Sequence, residues 1–170
     1  MKIENGALIK VDDSDIGPDG SFVIPDSVES IGYNAFENCS SLTNLDVNRF
    51  NTSNVTNMSY MFGASFGEGC SALTNLDLSN FNTSNVTSMN SMFSYCKALT
   101  SLDVSNFNTS SVTSMERMFA SCSGLTSLDL SNFYTSSVTD MSGMFVNCRA
   151  LKSLDVSNFN TSKVTDMGYM

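Results

Sequence analysis

LDVSNFNTSSVTSMERMFASCSGLTS, residues 102–127, decides the reading of this chain, because the chain repeats it. Its first fourteen residues return as LDLSNFNTSNVTSM at 76–89, LDLSNFYTSSVTDM at 128–141 and LDVSNFNTSKVTDM at 154–167, with starts 26 residues apart. An earlier copy, LDVNRFNTSNVTNM, begins at Leu45, 31 residues before the next. The five additional residues fall between Phe62 and Cys70, where GASFGEG (63–69) replaces the two-residue spacer Ser94-Tyr95. Farther upstream, IPDSVESIGYNAFENCSSL (24–42) is a divergent copy whose Ala35, Phe36, Cys39 and Leu42 align with Met92, Phe93, Cys96 and Leu99. Self-similarity at a period of 20–50 residues marks a repeat array, in which each unit buries its apolar face only against its neighbours.

Within one unit, Leu99, Leu102, Val104 and Phe107 follow the leucine-rich spacing LxxLxLxxF. Apolar and polar residues alternate through 102–105, which predicts a short strand with Leu102 and Val104 inward. Asn108 to Ser111 are turn formers. Met115, Met118, Phe119 and Cys122 fall at i, i+3, i+4 and i+7, which predicts a helix of two turns capped by Thr113 or Ser114. The expected fold is therefore an α/β repeat, a leucine-rich-repeat-type solenoid with one short parallel strand, a turn-rich stretch and a short helix per coil. Residues 1–20 are expected to form an N-terminal cap, 21–44 a divergent repeat, and 45–170 five repeats with the last cut short, all in one domain. The incomplete last copy and the absence of an apolar leader at the start read as a piece of a longer chain.

Stacking turns each repeat position into a column. Cys39, Cys70, Cys96, Cys122 and Cys148 occupy one, and the odd count, parallel direction and distance from any CxxC spacing point to buried thiols. The eleven methionines form core columns of the same kind. Asn80, Asn106, Asn132 and Asn158 form another, read as amides bonded to one another along the stack. Asp46, Asp77, Asp103, Asp129 and Asp155 form an outward acidic column, flanked by Ser79, Ser105, Ser131 and Ser157. Calcium is one reading of that column, since the ion takes oxygen ligands. Side chains bonded to neighbouring hydroxyl or backbone groups are the plainer one.

Composition excludes several functions. The net charge is −9, from 8 basic and 17 acidic residues, with no basic stripe for nucleic acid or for an anionic membrane. No run reaches the 18 or so apolar residues of a membrane span. Histidine is absent, so serine nucleophiles lack their usual base and metals their usual ligand. The chain reads as no enzyme, without cofactor or metal.

The motifs carry a resemblance. IPDSVESIGYNAFENCSSLTNL (24–45) resembles the repeat of the BspA-like leucine-rich proteins of bacterial surfaces and some protists. The downstream LDLSNFNTSNVTSMxxMFxxCxxL resembles the related repeat of mycoplasma surface lipoproteins and of wall-anchored proteins of lactic-acid bacteria. The resemblance implies an extracellular, surface-exposed adhesion module that binds a protein or glycan on another surface, and it transfers no site residues. Two candidate contact regions come from the residues themselves. One is the strand face, Asp46, Asp77, Asp103, Asp129 and Asp155 with Ser79, Ser105, Ser131 and Ser157. The other is the insertion, with Ser65, Phe66 and Glu68. The alternatives are a spacer that projects another domain, and an ice-binding ladder built on Thr87 and its equivalents. An exposed last coil adds end-to-end self-association as a possible partner mode.

Overall fold

The computed structural model describes all 170 residues, and its secondary structure overturns the α/β expectation. There is no α-helix, and from Leu45 onward the repeats contain no strand. The regular elements are β1 (Lys2–Glu4), β2 (Ala7–Lys10), a single 3-10 turn at Asp13–Asp15 and β3 (Ser30–Ile31). β1 and β2 form an antiparallel hairpin across Asn5 and Gly6, both at positive φ (50° and 74°), the backbone that a two-residue primed turn requires. β2 then pairs in parallel with β3, Leu8 against Ile31, and this joins the hairpin to the first repeat.

The predicted helix is a ladder of turns. Met118, Ala120 and Cys122 donate their N–H groups locally, to Met115, Arg117 and Phe119, at 3.0–3.1 Å. The intervening donors go elsewhere: Met115, Arg117, Phe119 and Ser121 bond to carbonyls of Asp140, Ser142, Met144 and Val146 in the next repeat. The same alternation links Met89, Ser91, Phe93 and Tyr95 to Ser114, Glu116, Met118 and Ala120. Left-handed residues make it possible. Arg117 and Ser121 have φ of 52° and 58°, as do Ser91 (51°) and Tyr95 (65°) one repeat earlier. Such a backbone costs a non-glycine residue roughly 1–2 kcal/mol, and each cross-repeat bond returns about 1 kcal/mol. A two-turn helix is poorly nucleated and would leave its first four N–H groups without an intrahelical partner.

The predicted strand fails for a different reason: side chains occupy its polar groups. Asp103 accepts from the Ser105 amide at 2.9 Å, and the Phe107 amide closes a turn on Val104. The carbonyls of Val104, Ser105 and Phe107 accept from the Asn132 side chain. Local bonding by Asp and Asn competes with a ladder, and here it prevails. The expected alternation of facing survives, with Leu102 and Val104 buried and Asp103 and Ser105 exposed.

Packing follows the columns. Forty-one buried apolar residues form one continuous cluster. Phe36, Phe62, Phe93 and Phe119 of this cluster and the partly buried Phe145 stack face to face, with centroids 5.7–5.9 Å apart and planes within 12°. From Cys70 on, each cysteine thiol donates to a Phe carbonyl of this column in the preceding repeat, as Cys122 does to Phe93 (3.1 Å) and Cys148 to Phe119 (3.0 Å), while Cys39 donates to the Val11 carbonyl. Burial pushes these thiols up, Cys39 to about 12.

Two further columns staple the repeats. The Asn amides do not bond to one another as expected; each forks onto the backbone of the preceding repeat. Asn132 reaches Val104, Ser105 and Phe107 at 3.0, 3.1 and 2.9 Å, and Asn106 and Asn158 repeat the pattern. Thr52, Thr83, Thr109 and Thr135 act in the opposite direction and are buried. The Thr109 hydroxyl donates to the Tyr134 carbonyl (3.0 Å) and accepts from the Tyr134 amide (2.8 Å), so one side chain satisfies both backbone groups of one residue.

Candidate functional site

The acidic column stands where the sequence puts it, exposed and one carboxylate per repeat. Its chemistry is committed to the backbone. Asp46, Asp77, Asp103, Asp129 and Asp155 each accept from the amide two residues on, at 2.9 Å, an Asx-turn. The amides of Ser79, Ser131 and Ser157, reinforced by their hydroxyls, hold Asp77, Asp129 and Asp155 below the ordinary carboxylate range. For Asp103 the Ser105 hydroxyl leads and the amide follows. No three acidic or thiol groups converge as ligands for a metal ion. The exposed threonines are engaged too: the Thr87, Thr113, Thr139 and Thr165 hydroxyls each donate to the threonine carbonyl one repeat back, at 3.0–3.1 Å.

The opposite situation holds on the turn-ladder side. Comparing the copies position by position, the frame LD-x-SNF-x-TS-x-VT-x-M is nearly fixed, and most of the variation falls after Met and after Phe. The pair after the first methionine reads Ser59-Tyr60, Asn90-Ser91, Glu116-Arg117, Ser142-Gly143 and Gly168-Tyr169. The pair after Phe reads Ser94-Tyr95, Ala120-Ser121 and Val146-Asn147. In each pair the second residue is the left-handed one.

From Ser94-Tyr95 onward these variable residues line one groove of about 660 Å³, within the usual size of a ligand site, roughly 300–1,000 Å³, while Ser59-Tyr60 and Asn90-Ser91 lie outside it. Phe66 and Tyr95 stand at one end and Tyr169 at the other. Arg117 lies between them across Gly143, where an added Cβ would meet Arg117 Cγ at 3.1 Å. The Arg117 guanidinium keeps only a loose approach to Glu116, 3.9 Å. Ser94 is buried in the groove wall, and its hydroxyl has no hydrogen-bond partner.

The insertion supplies part of this wall. Ser65 donates to Glu37 (3.2 Å), and Glu68 pairs with Lys97 (2.6 Å), whose ammonium also sits 5.7 Å from the Tyr95 ring centre. Between these two ties Phe66 is 83% exposed. Gly63 admits the insertion because a Cβ there would fall 1.9 Å from the Ser91 carbonyl oxygen. Of the residues expected at a site, Ser65 and Phe66 enter the groove, Glu68 braces it from outside, and the Asp and Ser columns lie apart from it. Tyr95, Arg117 and Tyr169 are groove residues that the sequence reading missed. Their signal was the variation between copies, hidden by reading the segment as a uniform helix.

No curated protein and no solved structure matches this chain. A family described as "Mycoplasma protein of unknown function, DUF285" matches residues 32–129 and again 63–170. The two matches overlap and together cover every complete repeat, so the family unit is the repeat array itself. The chain belongs to that DUF285 family of proteins of unknown function.

Proposed function

We propose that this chain is a non-catalytic binding module of a BspA-like surface protein, working outside the cell, and that its contact surface is the groove on the turn-ladder side. The supporting observation is the partition of variation. Residues that hold the stack are nearly the same in every copy, while those after Met and Phe differ, and six of the eight differing pairs line one concavity. A scaffold needs sameness, and recognition of a particular partner needs difference. The carboxylates of the Asp column are occupied by their own backbone, which favours a structural role for that face. A hydrolytic reading finds little support: there is no histidine, and the buried thiols are pushed away from the reactive thiolate.

Near-identity of the frame also fits a spacer that projects another domain. Immobilised protein offered matrix proteins, host-cell membranes and glycans separates the two. Saturable retention that falls when Phe66, Tyr95 and Arg117 are replaced together, and not when Asp103 and Asp129 become Asn, supports the binding module. Retention of nothing, or retention that is indifferent to the groove triple, supports the spacer.

A further inference from the structure

Resting on that reading, we infer that the groove recognises a short neutral glycan chain, with sugar rings laid against Phe66 and Tyr95 at one end and Tyr169 at the other. The shape comes first. The aromatics sit on repeats one, two and five, so the groove runs along the stack for about four steps of roughly 4.8 Å, some 19 Å in all. It is an open, elongated trough that suits a chain of several linked rings.

The chemistry of the lining comes next. A pyranose presents an apolar C–H face and a rim of hydroxyls. Exposed aromatic rings match the face, and planar polar groups, guanidinium donors and carboxylate acceptors together, match the rim. The groove interleaves these two kinds. Between its aromatic ends lie the Arg117 guanidinium, without a hydrogen-bond partner, and the carboxylates of Glu116 and Asp166. Phe66 and Tyr95 are held in place by the Ser65–Glu37 and Glu68–Lys97 ties, so little ordering accompanies binding.

A peptide fits less well. The amides of Met115, Arg117, Phe119 and Ser121 are all bonded to the next repeat, so the middle of the groove has no free edge for strand addition. The groove floor carries polar and small residues and offers no enclosed apolar pocket for a buried anchor. Charge argues for neutrality. The chain carries −9 overall, and two carboxylates, Glu116 and Asp166, share the groove with its one arginine, so sulfated or sialylated chains are repelled.

The test is an array of neutral glycans with their sialylated and sulfated counterparts, followed by saturation-transfer NMR with the hits and with cellotetraose and chitotetraose. The expected result is saturable binding of at least one neutral oligosaccharide, weakened ten-fold or more in Phe66→Ala and in Arg117→Ala. Asp103→Asn, on the other face, leaves the affinity within two-fold. Both groove side chains are exposed, so these variants keep the fold, which a matching circular dichroism spectrum verifies. Binding confined to acidic glycans, or binding unchanged in Phe66→Ala, overturns the inference. Groove-dependent capture of a protein with no glycan bound overturns it too, and leaves the binding-module reading standing. Absence of any groove-dependent ligand removes both.

Discussion

Replacing Asn132 tests the bond pattern that distinguishes this stack from a ladder of strands. Its side-chain amide reaches the carbonyls of Val104, Ser105 and Phe107, and the bonds to Val104 and Phe107 (3.0 and 2.9 Å) are partly buried. Truncation in Asn132→Ala removes two partly buried bonds worth about 1 kcal/mol each and leaves two carbonyls under-satisfied, for a total near 3 kcal/mol. A chain of this size has on the order of 5–15 kcal/mol to lose, and each kcal/mol moves Tm by roughly 2–4 °C, so Tm falls by about 6–12 °C. Asn132→Asp is the sharper substitution. It keeps the shape and replaces the donor by an anionic acceptor facing three carbonyl oxygens, so it falls below Asn132→Ala at neutral pH and recovers as the carboxyl protonates. Thermal unfolding followed by far-ultraviolet circular dichroism at pH 7 and pH 4 measures both, with exposed Ser136→Ala as control. A Tm for Asn132→Ala within 2 °C of the parent, or an Asn132→Asp more stable than Asn132→Ala at pH 7, refutes the fork.

Three other outcomes follow from the same structure. Thr109→Val, which keeps the volume and removes the hydroxyl that both donates to and accepts from Tyr134, destabilises by about 2–4 kcal/mol, whereas Thr109→Ser retains both bonds and costs about 1 kcal/mol; urea denaturation compares them. The carboxyls of Asp77, Asp103, Asp129 and Asp155 lie below the ordinary 3.8 in the folded chain, so the unfolded chain takes up protons first as the pH falls. Their contribution is present in full above the ordinary value and is lost on passing down through the folded one, and Tm against pH bends downward below about pH 4. The fourfold Asp→Asn variant keeps the turn acceptor and flattens that limb. Thiol titration with a disulfide reagent at pH 8 in native buffer labels Cys148 ahead of the other cysteines, because it is only half-buried, and Cys70, Cys96 and Cys122 react only in denaturant.

The period, the columns and their inward or outward sense were legible in the sequence. Leu102, Val104, Phe107, Met115, Met118, Phe119 and Cys122 repeat at fixed spacing, and all are buried. Periodicity reports which side chains leave water. It does not report where backbone donors go. Met115, Met118, Phe119 and Cys122 have the burial spacing of a helix, yet a ladder of turns with left-handed Arg117 and Ser121 buries the same four. Asp103 was read as bonded to neighbouring hydroxyl or backbone groups, as it is, but the strand beside it was still expected, and Asn132 was read as part of a mutual ladder, because nothing local says that its amide saturates the backbone of the preceding repeat. Thr109 was read as turn chemistry, and its burial depends on the next repeat, 25 residues on.

The site divides the same way. The break in the period at 63–69 was visible by counting, and Phe66 stood out as an aromatic that the repeat does not explain. The groove was not visible. It exists because the left-handed residues Tyr95 and Arg117 line it from adjacent repeats, because Gly143 leaves room for the arginine, and because Glu68 meets Lys97 across 29 residues of chain. Local spacing fixes what a repeat buries, through the fit of side chains to their own turn. What neighbouring repeats present together depends on how one stacks on the next, and that is settled only by the hydrogen bonds between them.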